Sequence, residues 1–296
     1  MKVAKRIFLF VTVNILILTT LSVLASILGV RPYIEANGIN YNSLLIFCVV
    51  WGFGGAFIAL AISRITAKWM MGVKLITDET RDLDMLRLRQ RVFALAQKAG
   101  LEKMPEVGYY ESEEINAFAT GPSRNRSLVA VSTGLLQHMD DDEVEGVLAH
   151  EVAHIANGDM VTMTLVQGVV NALVMFIARI IAFFASQFVA EDKRNAVQFG
   201  VVLVSEIALG VLGMIVVSYF SRAREFRADA GAATLSSKQN MIAALQKLKK
   251  TADRVAEADD QPAIASLKIS GKRNWLKLFS THPELDERIA RLRDAS

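Results

Sequence analysis

Cysteine is almost missing from the 296 residues: Cys48 is the single one and lies inside an apolar run, so neither an internal disulfide nor a cysteine-held metal site can form. That scarcity fits a working domain exposed to a reducing compartment. Histidine is also scarce, four in all, so a regular spacing between two of them carries information. Net charge is small: Lys+Arg 33 against Asp+Glu 30 leaves +3, too little to mark a nucleic-acid surface once juxtamembrane basic residues are expected. No nucleic-acid partner is expected. Internal repeats and low-complexity tracts are lacking too.

Apolar residues are what the chain has in plenty, 52% of the total, above the share usual for a soluble domain. They gather into four runs, which predicts an α-helical membrane protein with four transmembrane helices. Ile7 to Val30 carries no charge and is long enough for a bilayer core of about 30 Å. A cleaved signal peptide is the alternative, but the run exceeds a usual signal core and no small-x-small site precedes Arg31, so a retained span is expected. The second charge-free run lies between Glu35 and Arg64, with a span over about 39–63, and carries Gly52, Gly54, Gly55, Ala56 and Ala59, which let helices approach closely. Lys2, Lys5 and Arg6 before the first span, and Arg64, Lys68 and Lys74 after the second, put the N-terminus and the chain after residue 64 in the cytoplasm.

Two further runs, Met160 to Ala190 and Ala196 to Ser221, each hold one ionisable residue, Arg179 and Glu206, at similar distance from the Glu191–Asn195 loop. If both helices cross, the two charges lie at comparable depth and can pair. The alternative is a hairpin folded partly against protein or in the interface. Either way the chain returns to its starting side. The expected organisation is an N-terminal transmembrane hairpin, 1–70, followed by a cytoplasmic domain, 71–296, interrupted by a second hairpin at 161–221.

Within the polar stretches, Leu83, Leu86, Val92, Leu95 and Ala96 predict the buried face of a helix that stops at Gly100, with Pro105 beyond it. Pro105–Tyr110 and Ser127–Ser132 read as short strands, and 116–121 as an edge strand running into a turn. Asp140 and Glu143 have capping-box spacing for a helix that runs to Asn157 and ends at Gly158. Helices are expected over Arg222–Leu235 and Asn240–Ala252, then a polar connector, then a last short helix after Pro283.

On the capping-box helix stands His150-Glu151-Val152-Ala153-His154, an H-E-x-x-H motif. Residues four apart share a helix face, so both imidazoles can reach one ion, while Glu151 points beside it toward a water. Neutral nitrogens suit Zn²⁺, and the ion lowers the pKa of that water toward about 7, so that a carboxylate can take its proton during attack on a peptide carbonyl. A chance match with two surface histidines is the bland reading. A catalytic zinc needs a third protein ligand, and no metzincin extension follows His154. The second hairpin returns Arg222–Asp229 to the metal helix with Glu225 and Asp229 four apart, so one can ligate and the other hold an imidazole. Spacing favours Glu225 as ligand; the alternative is a solvated charge among arginines. A non-catalytic scaffold with a structural metal is the rival from another class, and Glu151 argues against it. Asn116 can bind substrate backbone through its amide or form an Asx turn.

NAFATG, VAVSTGLL, HEVAHIANGDMVTMTL, the SRxxEFxAD segment and the closing THPxLxxRIxxL together resemble the HtpX family of bacterial heat-shock-associated membrane metalloproteases, relatives of the CAAX prenyl proteases. The resemblance spans nearly the whole chain. The expected fold is an α-rich α+β zincin-like domain with a small sheet on the cytoplasmic side, and the resemblance implies one zinc held by His150, His154 and Glu225, with catalysis by Glu151. It further implies multi-pass residence in the bacterial inner membrane, and cleavage of damaged, misassembled or unfolded polypeptides in envelope quality control. The prenyl proteases have more spans and enclose a chamber, so prenyl-peptide specificity is not carried over. The relatives also keep a His and, six residues on, an Arg near the metal, which marks His282 and Arg288 as a transition-state clamp. The bland reading of that segment is a capping turn with Pro283 in the first turn of a helix and Arg288 solvated.

Overall fold

The computed structural model describes residues 41–258 and 280–295; the expected first span, about 7–30, and much of the polar connector after Ala252 lie outside them. In chain order the described elements begin with helix α1 (Tyr41–Met71), strand β1 (Lys74–Leu75), helix α2 (Leu83–Lys98), and strands β2 (Glu106–Tyr110), β3 (Ala117–Ser123) and β4 (Arg126–Ser132). Helices α3 (Thr133–His138), α4 (Asp141–Asn157) and α5 (Asp159–Ser186) follow, then a 3-10 turn (Glu191–Lys193) and helices α6 (Arg194–Leu235), α7 (Lys238–Ala258) and α8 (Leu285–Asp294). The chain divides into two compact units. One comprises Thr164–Val217 with the described residues up to Ala59, the other Leu60–Met163 with the chain from Ser218 onward.

The first unit is apolar. Among the described residues three helical stretches, Ile46–Met71, Asp159–Ser186 and Glu191–Leu235, are long and apolar enough to cross a membrane. The 28 residues of α5 extend about 42 Å at 1.5 Å per residue, more than a hydrocarbon core of about 30 Å. Gly52 lies against the backbone of Ala172, where any Cβ would collide, which is the close approach that small residues allow. Arg179 donates from Nη1 to Glu206 Oε1 at 2.8 Å, as the matched depth of the two charges predicts.

The second unit is built on a four-stranded sheet in the order β1-β2-β4-β3. Strands β2 and β4 run parallel, while β1 is antiparallel to β2 and β3 antiparallel to β4, so β3 is an edge. The alternation in β4 separates its two faces: Val129 and Val131 join the core under α2 and α4, while Leu128 and Ala130 pack with Tyr110 and Phe118 on the other face. At Gly121 the backbone has φ 144° and a Cβ would run into the Arg126 carbonyl, so the tight β3–β4 approach needs glycine.

Several boundaries differ from expectation. The buried face of α2 is Leu88, Val92, Leu95 and Ala96, whereas Leu83, in the first turn, is 67% exposed. Helix α1 continues past Arg64 to Met71, and Arg64 and Lys68 pair with Glu106 on β2 (3.4 and 2.5 Å). Arg222–Leu235 is not a separate helix but the end of the 42-residue α6. Strand β1, with two residues, and α3, with six, are too short to leave a periodic signal.

Candidate metal centre

Helix α4 presents the motif. Asp140 caps it by accepting from the Glu143 N–H (2.9 Å), Glu143 Oε2 accepts from the Asp140 N–H (3.0 Å), and Gly158 closes it in the left-handed conformation (φ 70°). His150 and His154 therefore stack one turn apart, both buried. Their Nε2 atoms face each other at 3.1 Å. Glu225, 1% exposed on α6, brings Oε2 to 3.5 Å from His150 Nε2 and Oε1 to 3.3 Å from His154 Nε2. One ligand atom from each of the three residues lies within 4.8 Å of the others.

Donor chemistry tests whether this cluster fits a cation. His150 Nδ1 meets Asp229 Oδ1 at 2.9 Å and His154 Nδ1 meets Asp159 Oδ2 at 2.6 Å. Carboxylates only accept, so in the neutral imidazoles each Nδ1 carries the proton and each Nε2 offers a lone pair. Two lone pairs and a buried carboxylate then converge; with His154 Nε2 unprotonated, Glu225 Oε1 has no hydrogen-bond donor among the described residues, the nearest cation being Arg224 Nε at 3.6 Å. Such a set is unfavourable unless a positive charge sits among them, and two nitrogens with one carboxylate oxygen suit a divalent transition metal. Glu151, the next residue on α4, is partly exposed, and its charge acts on both imidazoles and on Arg288.

Without a metal, the carboxylates around the two imidazoles favour their protonated forms. Burial pushes both imidazoles toward lower pKa, but the hydrogen bonds to Asp229 and Glu225 raise His150 overall, and those to Asp159 and Glu225 raise His154 to about 9. A folded-state pKa above the ordinary 6.5 or so means that protonated His154 adds stability fully below about pH 6.5, lost as pH rises through about 9. Thermal unfolding of the metal-free protein in detergent should therefore show a melting temperature that falls between those two values. A flat profile would contradict the coupling.

The C-terminal segment converges on the same cluster. His282 is largely exposed, yet its Nδ1 donates to Glu225 Oε2 at 2.9 Å. Arg288 clasps Asp229 through Nε (2.8 Å) and Nη2 (2.6 Å), and its Nη1 stands 3.6 Å from Glu225 Oε2. Both bland readings are thereby corrected. Pro283 precedes the N-cap Glu284, which makes no side-chain cap bond, and Arg288 is 6% exposed rather than solvated because Asp229 draws it inward. Removing one partner of a buried pair leaves a bare charge, so Arg288→Ala should destabilise the folded protein by about 3–5 kcal/mol. Thermal unfolding in detergent reads this directly, and an unchanged melting temperature would mean that the pair is relaxed by water.

Asn116 is not part of the cluster: it precedes β3, and its backbone N–H donates to Ser132 Oγ at 3.0 Å. His138 ends α3 and stands outside the group of three. Asp159 and Arg227 escaped the sequence reading. The available signal was the Asn157-Gly158-Asp159 run just after the motif, where an acidic residue opens a helix five positions beyond His154.

Comparison with known proteins bears on the whole chain. Residues 82–296 match the family described as Peptidase family M48. A protein named Protease HtpX homolog from Bacillus subtilis is 56% identical over 296 residues, covering 98% of this chain and 99% of that protein. Protease HtpX of Shewanella piezotolerans is 49% identical, with 98% and 99% covered. The solved structure of Ste24p from S. mikatae aligns with a TM-score of 0.60 at 19% identity, over 93% of this chain, which spans 64% of the Ste24p chain. At that identity the likeness is one of fold.

Proposed function

Because the chain belongs to peptidase family M48, a family of metallopeptidase hydrolases, we propose that it is a zinc endopeptidase of the bacterial inner membrane whose catalytic face is cytoplasmic. It is a multi-pass membrane protein with an M48 protease domain. In our reading there are four spans, about 7–30, 39–63 and the pair within 161–221, and a zincin-like domain over 71–296 into which the second pair is inserted. The basic residues flanking the first two runs support the orientation.

One observation carries the assignment: two imidazole Nε2 atoms and the Glu225 carboxylate face a common point while both Nδ1 atoms are committed to carboxylates. We assign His150, His154 and Glu225 as ligands and Glu151 as general base. A zinc ion bound there supplies Lewis acidity toward a water and the scissile carbonyl. Glu151 accepts the proton of the attacking water and delivers it to the departing amide nitrogen. Asp229, neutralised by Arg288, holds His150 in its tautomer, and His282 orients Glu225. Strand β3, the edge of the sheet among the described residues, is suited to pair with an extended substrate strand, which reads backbone more than side chains and favours broad cleavage of unfolded or misassembled membrane polypeptides in envelope quality control.

The second reading, a prenyl-peptide protease, follows from the resemblance to the CAAX prenyl proteases. Purified protein should cleave an unfolded polypeptide and a misassembled membrane protein at rates that do not depend on a prenyl group. Activity confined to prenylated peptides would reject the quality-control reading.

A further inference from the structure

Each imidazole of the cluster is backed by a carboxylate, and each carboxylate by an arginine, but the two chains of contacts are unequal. Behind His150, Asp229 and Arg288 are both nearly buried, with 3% and 7% of their side chains exposed. Behind His154, the Asp159 side chain is fully buried, while the Arg227 side chain is 56% exposed. Asp159 Oδ2 accepts from His154 Nδ1 at 2.6 Å and Oδ1 from Arg227 Nη2 at 2.7 Å, so both oxygens are in use. An ordinary acidic residue in the first turn of a helix stays solvated. This one has been drawn inside, where an ionised carboxylate persists only if it is paired and hydrogen-bonded.

We infer that Asp159 and Arg227 are positioning residues for the metal, Asp159 by fixing the His154 ring with Nδ1 toward its own carboxylate and Nε2 toward the ion, Arg227 by holding that carboxylate in place through its second oxygen. The inference rests on the reading of His150, His154 and Glu225 as ligands. Asp159 is the first residue of α5, where the helix dipole also favours negative charge, and Arg227 lies on α6 two residues beyond Glu225. The pair therefore joins the chain just before the inserted stretch Thr164–Val217 to the chain just after it, and does so at a ligand imidazole. Partners behind a metal-bound histidine set ring orientation and ligand basicity, and their loss costs about tenfold to a hundredfold in metal affinity.

The test uses full-length protein in detergent, with zinc affinity read by competition against a chromophoric chelator and site geometry by the visible spectrum of the cobalt-substituted protein. Asp159→Asn should weaken zinc binding by about tenfold to a hundredfold and alter the cobalt spectrum. Arg227→Gln should weaken it by a smaller factor, and Arg227→Lys should restore most of that loss. Because the arginine acts through the carboxylate, the double variant should bind no more weakly than Asp159→Asn alone. Wild-type affinity and spectrum in Asp159→Asn would overturn the inference, as would fully additive losses, or a lowered melting temperature with unchanged affinity. Should Asp159→Asn fail to fold, unchanged affinity in Arg227→Gln overturns it equally. A wild-type protein that binds no zinc would reject the ligand assignment itself, whereas zinc-binding wild type with unaffected variants rejects only this inference.

Discussion

Glu151→Gln is expected to cut proteolysis by about a hundredfold to ten-thousandfold while metal content stays at its wild-type level. Glu151 follows His150 directly on α4, is partly exposed, and belongs to neither carboxylate–imidazole pair. Glutamine keeps its shape and removes its ability to take a proton, so chemistry is lost and the site is not. Activity assays on the metal-loaded variant check this, and turnover near wild type would remove Glu151 from the role of base.

Glu225→Ala should lose activity by a different route. The Glu225 carboxylate is buried, lies within 3.5 Å of both Nε2 atoms and accepts from His282 at 2.9 Å. Without it two neutral nitrogens remain for the ion, one fewer than the three protein ligands of a catalytic zinc site, and the protein should purify with little metal and no activity. Full metal occupancy in Glu225→Ala would move the third ligand elsewhere. The contrast between these two glutamates, one assigned to the proton and one to the ion, is the sharpest separation these variants test.

Much of this was legible in the sequence because local rules agreed with the fold there. The capping box at Asp140 and Glu143 and the stop at Gly158 are both formed, and together they place His150 and His154 on one face of α4. The matched depths of Arg179 and Glu206 anticipated their contact. Glu225 and Asp229 could be set against the motif because a hairpin must bring the chain back. What stayed hidden depends on tertiary partners. The family resemblance marked Arg288, but its residue pattern alone reads as an ordinary charged helix residue until Asp229 is seen to draw it in, and Asp159 reads as a favourable first-turn acid until Arg227 and His154 are seen on its two oxygens. Helix periodicity similarly misjudged Leu83, since nothing in the pattern says where the core ends.

The central claim, a zinc centre formed by His150, His154 and Glu225 with Glu151 beside it, is tested most directly by elemental analysis of the purified protein alongside proteolysis. The expected result is one zinc per chain in the wild type and in Glu151→Gln, with activity only in the former, and little zinc in Glu225→Ala. A wild type that cleaves polypeptide without zinc, or a Glu225→Ala variant that keeps both metal and activity, would contradict it.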